Sequence, residues 1–152
     1  MSELKDLDDV VRDAIKAGQV GRPVFVRCVI GVPESADEQA NVVVDCLMSI
    51  RLWFGDSISR LYAMGSWGSG PSLHVQFRGG GMALVTARVS RPWSADLIVL
   101  GNHGAMYHDG FSGGFAVLSR SFAESDTKRS VRTAVQAAVK SGQPQDVADT
   151  VP

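Results

Sequence analysis

The spacing of apolar positions changes several times along the chain, and each change marks an element. Leu4, Leu7, Val11, Ala14 and Ile15 recur at helical spacing with Lys, Asp and Arg between them. That pattern predicts an amphipathic helix stopping near Gly18. Pro23 to Ile30 is rich in β-branched residues and reads as a strand. After a loop broken by Pro33 and Ser35, residues 37–54 return to helical spacing, and are more apolar than a surface helix needs to be. Short strands follow at Ile58–Met64, Ser72–Arg78, Met82–Ser90, Ala95–Leu100 and Gly104–His108, with a weaker one at Gly114–Leu118. Val131, Ala134, Val135 and Val139 then place a last helix within Ala123–Lys140, ending at Gly142.

Alternation within Ser72–Ser90 fixes which residues share a face. Folding the chain about Gly80 pairs Phe77 with Ala83, Val75 with Val85 and Leu73 with Ala87, all on one face. The other face receives His74 with Thr86, Gln76 with Leu84, and Arg78 with Met82. A one-residue slip would destroy this separation. The expected fold is therefore α+β, an open and largely antiparallel sheet of about six strands with helices on one face. Residues 1–142 form a single domain in this reading, and 143–152 a loose polar tail.

The chain has 152 residues, 45% hydrophobic and 20% charged, which fits one globular domain. Lys plus Arg is 15 and Asp plus Glu is 16, so no basic excess exists to neutralise phosphates. Nucleic acid is not an expected partner. The longest mainly apolar stretch, Ala40–Phe54, is too short for a bilayer and contains Asn41, Asp45, Ser49 and Arg51. The first residues are acidic, without an apolar signal core. Cys28 and Cys46 show no metal-ligand spacing and read as reduced core thiols. A cytoplasmic location without a membrane partner is the expectation.

Candidate chemistry is sparse. Neither G-x-G-x-x-G nor G-x-x-x-x-G-K-[ST] occurs, and the glycines at 65–70 and 79–81 join strands rather than opening helices. A metal needs three or four converging ligands, and only Asp109 joins His103 and His108 at a recognisable spacing, so no metal site is expected. One feature stands out. Asn41, Asp45 and Ser49 recur at i, i+4 and i+8 as a polar stripe on an otherwise apolar helix. The stripe either faces solvent or lines a cleft beside the sheet, where Asp45 would be a candidate base or hydroxyl acceptor.

Four segments together resemble a known family. They are Val11–Val26, then Ile50-Arg-Leu-Trp-Phe-Gly55 with Ser59-Arg-Leu-Tyr-Ala63, then Leu73–Ser90 with Asp96–Ala105, and finally Ser130–Val139. In order and spacing they are similar to the C-terminal domain of the Gfo/Idh/MocA family, named for glucose–fructose oxidoreductase and inositol dehydrogenase. Members are two-domain NAD(P)-dependent oxidoreductases acting mostly on sugars and polyols. Their N-terminal Rossmann domain carries the glycine fingerprint and a lysine in a Glu-Lys-Pro motif. The matching segments begin after that half, so the resemblance implies no cofactor in the isolated chain and no catalytic lysine. The family's motif helix carries Asp and, four residues later, His. Counting back from Gly55, those positions hold Asn41 and Asp45. The spacing survives without the imidazole suited to proton shuttling.

Three functions follow as expectations. The leading one is a stand-alone, non-catalytic binding or scaffolding relative of the substrate and oligomerisation domain. Its alternatives are a subunit of a split oxidoreductase whose Rossmann half is a separate chain, and a cofactor-free lyase or isomerase using Asp45. The expected ligand is a polyhydroxylated small molecule held by Asn41, Asp45 and Ser49. The expected partner is a second copy, or a homologous or Rossmann-bearing chain, on the open sheet face. His74, Gln76, Arg78, Met82, Leu84, Thr86 and Arg88 make up that surface.

Overall fold

The computed structural model describes residues 7–32, 34–89, 95–108 and 122–147. Three helices and seven strands follow in the order α1 (Leu7–Lys16), β1 (Pro23–Val32), α2 (Ala36–Phe54), β2 (Ile58–Met64), β3 (Ser72–Phe77), β4 (Met82–Val89), β5 (Ala95–Gly101), β6 (Ala105–His108), α3 (Asp126–Ser141) and β7 (Gln145–Asp146). The strands form one open sheet in the order β6-β5-β1-β4-β3-β2-β7. Every neighbouring pair is antiparallel except β1 and β4, which run parallel. Linking parallel neighbours requires a crossover, and α2 with the β2–β3 hairpin supplies it. The fold is α+β, as the alternation predicts.

All three helices cover the same face. α2 lies across β1 and β4, α3 over β2 and β7, and α1 against α2. Beneath them Leu73, Val75, Phe77, Ala83, Val85 and Ala87 are almost completely buried, together with Val26, Cys28, Leu61, Leu97 and Val99. Burying each larger aliphatic or aromatic side chain here stabilises the fold by about 1.5–3 kcal/mol. Polar ties fix the helices in place. The Trp53 indole N–H donates to the buried Asp8 carboxylate at 2.6 Å, joining α2 to α1. Helix α2 stops at Gly55 (φ 62°), whose N–H bonds back to the carbonyls of Arg51 and Leu52.

The structure departs from the sequence expectations in three places. The hairpin register is shifted by two residues: Leu73 faces Val85, His74 faces Leu84, Val75 faces Ala83 and Gln76 faces Met82. Arg78, expected opposite Met82, instead sits in the turn. Gly80 N–H bonds to the Phe77 carbonyl (3.0 Å) with Gly80 at φ 99°, and Phe77 N–H bonds to Gly81 (2.9 Å). This is a three-residue turn with a glycine bulge rather than a symmetric fold about Gly80. A two-residue shift preserves side-chain parity, so both predicted faces survive. The sheet has seven strands rather than about six, because Gln145–Asp146 pairs with β2 at the edge and Val147 is buried. Those residues therefore belong to the sheet rather than to a loose tail. Leu4, the weak strand at Gly114–Leu118 and residues 148–152 lie outside the described residues.

Candidate binding residues and the open sheet face

The polar stripe of α2 meets three different environments. Asn41, near the helix start, is exposed. One turn later the Asp45 side chain is 13% exposed and its Oδ1 lies 3.0 Å from Lys128 Nζ, on α3. The same oxygen accepts the Phe122 backbone N–H at 3.3 Å, while Lys128 Nζ also donates to the Phe122 carbonyl at 2.6 Å. Ser49, another turn on, is fully buried and its hydroxyl has no hydrogen-bond partner among the described residues. The stripe thus turns from water into the contact between α2 and α3. Asp45 serves there as the counter-ion of a nearly buried lysine, while Asn41 is exposed and Ser49 is buried. Sequence spacing put these three on one helix face but gave no sign of Lys128, far along the chain.

Gln39 was not singled out by the sequence pattern, yet it is fully buried, one turn before the core residue Val43. Its amide oxygen accepts Gly68 N–H at 2.9 Å and its amide nitrogen donates to the carbonyls of Gly68 and Glu34, both at 3.3 Å. It clamps the glycine-rich 65–71 loop to α2. A glutamine inside a helical run carries no signal of such a role until its loop partner is placed.

Other candidate chemistry is separated in space. Cys28 on β1 and Cys46 on α2 are buried with their sulfurs 3.9 Å apart. The hydrogen bond with Cys46, and then burial, push the Cys28 thiol well above its ordinary range. A thiol held protonated in this way is a poor nucleophile. His103 lies in the exposed β5–β6 turn and His108 ends β6 opposite Leu97. Among the described residues no three His, Cys, Asp or Glu side chains cluster as metal ligands. Gly110-Phe-Ser-Gly-Gly114 matches the Gly-x-Ser-x-Gly of a nucleophile elbow, which requires a strand-to-helix turn; it lies outside the described residues.

The sheet face opposite the helices carries the other candidate surface. Pairing registers line up Tyr107, Ile98, Arg27, Leu84, His74 and Tyr62 as one row across six strands. A second row runs Ala105, Leu100, Phe25, Met82, Gln76, Arg60 and Asp146. A third contains Asp96, Val29, Thr86, Ser72 and Met64. His74, Gln76, Met82, Leu84 and Thr86 are brought together as the hairpin parity requires, with Arg88 beyond them on β4 and Arg78 at the turn. The sequence reading missed the contribution of β1 and β5, because only the pairing order places Phe25 and Val29 on the strand beside Leu84, and Ile98 and Leu100 one strand beyond. Ile98, Leu100, Phe25, Met82 and Leu84 form an apolar arc around Arg27, which sits between Ile98 and Leu84, and Arg60, Arg88, Asp96 and Gln76 border it. On this face the Tyr62 and His74 rings stack at 4.5 Å and 9°.

No protein-family model and no curated protein matches the sequence. Solved structures do match in fold. Apo scyllo-inositol dehydrogenase from Lactobacillus casei superposes with a TM-score of 0.71 at 13% identity, covering 96% of this chain and 62% of that one. A probable dehydrogenase from Thermotoga maritima gives 0.69 at 13% identity, covering 92% and 61%. The WlbA dehydrogenase from Bordetella pertussis, solved with NADH and UDP-GlcNAcA, gives 0.61 at 14% identity, covering 97% and 62%. The chain therefore spans about three-fifths of the length of these relatives. At such identities the likeness is one of fold, and the fold is that of the C-terminal domain of Gfo/Idh/MocA-type dehydrogenases.

Proposed function

We propose that this chain is a non-catalytic assembly domain that pairs with a second copy of itself through the open sheet face. The observation that carries this reading is the uncovered apolar arc of Phe25, Met82, Leu84, Ile98 and Leu100 around Arg27, within a polar rim. An apolar core with a charged border is the composition of a protein interface. The extent also fits. Six strands at about 4.8 Å spacing and about 20 Å length give roughly 500–600 Å² per copy. Face-to-face pairing would bury about 1,000–1,200 Å², at the lower edge of specific interfaces. A two-fold axis is the default for such a self-complementary contact.

The α2 stripe supports the non-catalytic half of the proposal. At the positions where the resemblance expects an acid–base pair, Asn41 has no titratable group and Asp45 is engaged by Lys128.

Light scattering at tens of micromolar should find a dimer. Leu84→Arg places two unpaired cations at its centre and should weaken association at least a hundredfold. Gln136→Arg, on the exposed side of α3, should leave association unchanged. A monomeric wild type overturns the reading, and a Leu84→Arg protein that stays dimeric moves the contact to another surface.

A further inference from the structure

We propose that the cleft at the end of the sheet, where α2 stops, β1 begins and β3 turns into β4, binds a free α-amino acid with a large apolar side chain. This inference is independent of the pairing proposed above. The cleft holds about 500 Å³ and is lined by Arg22, Val24, Phe54, Asp56 and the glycines of the β3–β4 turn. That volume falls within the range of small-molecule sites.

Its apolar part is held in place. Phe54 stacks on Phe77 with ring centroids 4.2 Å apart and 20° between planes, and stays only half-buried. A Cβ at Gly81 would collide with the edge of the Phe54 ring, so the ring lies where it does because residue 81 is glycine. The pairing of β1 with β5 skips Val24, and this bulge leaves Val24 41% exposed. Two apolar side chains are thus presented to the cleft from fixed positions.

Two opposite charges line the same cleft without pairing with each other. The Asp56 carboxylate accepts the Ser57 N–H at 2.8 Å through Oδ1 and the Gly79 N–H at 2.6 Å through Oδ2. Each oxygen keeps a second lone pair for another donor. A Cβ at Gly79 would lie 2.8 Å from Oδ2, so this glycine too makes room for the carboxylate. The C-terminal end of α2, one residue before Asp56, adds negative potential there. Arg22 has its backbone fixed by Asn102: its N–H donates to Oδ1 at 2.8 Å, and its carbonyl accepts the Asn102 N–H at 3.1 Å. Its guanidinium has no ion-pair partner among the described residues. An anchored anion, a free cation and an apolar surface are what the ammonium, carboxylate and side chain of an amino acid require.

The test is an amide-resolved NMR titration of the whole chain with L-phenylalanine, with hydrocinnamate, which lacks the ammonium, and with phenethylamine, which lacks the carboxylate. L-Phenylalanine should shift the Val24, Gly79 and Gly81 amides saturably, with a dissociation constant near or below about 1 mM. Removing either charge from the ligand should weaken binding at least about fivefold, and so should Arg22→Gln. Asp56→Asn should do the same. Because Asp56 also anchors the turn, hydrocinnamate reads its contact without altering the protein. Absence of a saturable shift at these amides overturns the site. Hydrocinnamate binding as tightly as phenylalanine removes the role of Asp56, and phenethylamine doing so removes that of Arg22; either overturns the assignment to amino acids. Shifts confined to the open sheet face place the binding elsewhere and also overturn it.

Discussion

Asp45 illustrates how one residue's role is decided by a partner the local pattern cannot reveal. Its carboxylate is the counter-charge that lets Lys128, 11% exposed, lie inside the α2–α3 contact. The residue type and its helical spacing were legible in the sequence, but its environment was not. A stripe facing water and a stripe facing a second helix have the same periodicity. Removing one partner of a nearly buried pair leaves the other charge uncompensated, which typically costs about 3–5 kcal/mol. With both side chains retaining some solvent contact, Asp45→Ala should destabilise the fold by about 2–4 kcal/mol. The double variant Asp45→Leu with Lys128→Met removes both charges and should cost less than the single change, because it leaves nothing unpaired. Urea unfolding of the three proteins measures this. An Asp45→Ala protein within about 0.5 kcal/mol of wild type would show that solvent already carries Lys128.

At the scale of elements, local alternation gave the faces of β3 and β4 correctly even though the register was two residues out. Parity depends only on odd and even positions, whereas register depends on turn geometry, and three consecutive glycines allow several turns. The edge strand β7 was illegible for a different reason. Gln145 and Asp146 carry no strand propensity, and their pairing follows from Val147 entering the core and its N–H reaching the Ser59 carbonyl at 3.0 Å. The 65–71 loop shows the same dependence on contacts distant in sequence. Gly70 has φ 101°, and a Cβ there would strike the carbonyl of Ala87, whose N–H bonds the Pro71 carbonyl at 2.9 Å. Gly68 has nearly the same φ, 99°, but opens onto free space. Gly68→Ala should therefore cost only the backbone strain, about 1–2 kcal/mol. Gly70→Ala adds a backbone clash and should cost at least about 2 kcal/mol more, read from denaturant midpoints. Equal losses would mean that the loop can move off β4 without penalty.

For the whole molecule, the decisive relation is between a fold shared with NAD-type dehydrogenases and the chemistry this chain itself carries. Among the described residues, no helix is long and apolar enough to cross a membrane. Dinucleotide binding makes a different demand. It needs a strand, a glycine turn and a helix N-terminus to hold the pyrophosphate, with a charged side chain for the ribose. The glycine-rich segments among the described residues connect β2 to β3 and β3 to β4, so their backbone N–H groups do not continue into a helix dipole. Two of those amides are also already engaged: Gly68 N–H by Gln39, and Gly79 N–H by Asp56 Oδ2 at 2.6 Å. The expected outcome is that this chain, purified alone, shows no calorimetric binding of NAD or NADP at micromolar to hundred-micromolar concentrations. Micromolar binding by the 152-residue chain would overturn that expectation, and with it the assignment of assembly rather than redox chemistry to the domain.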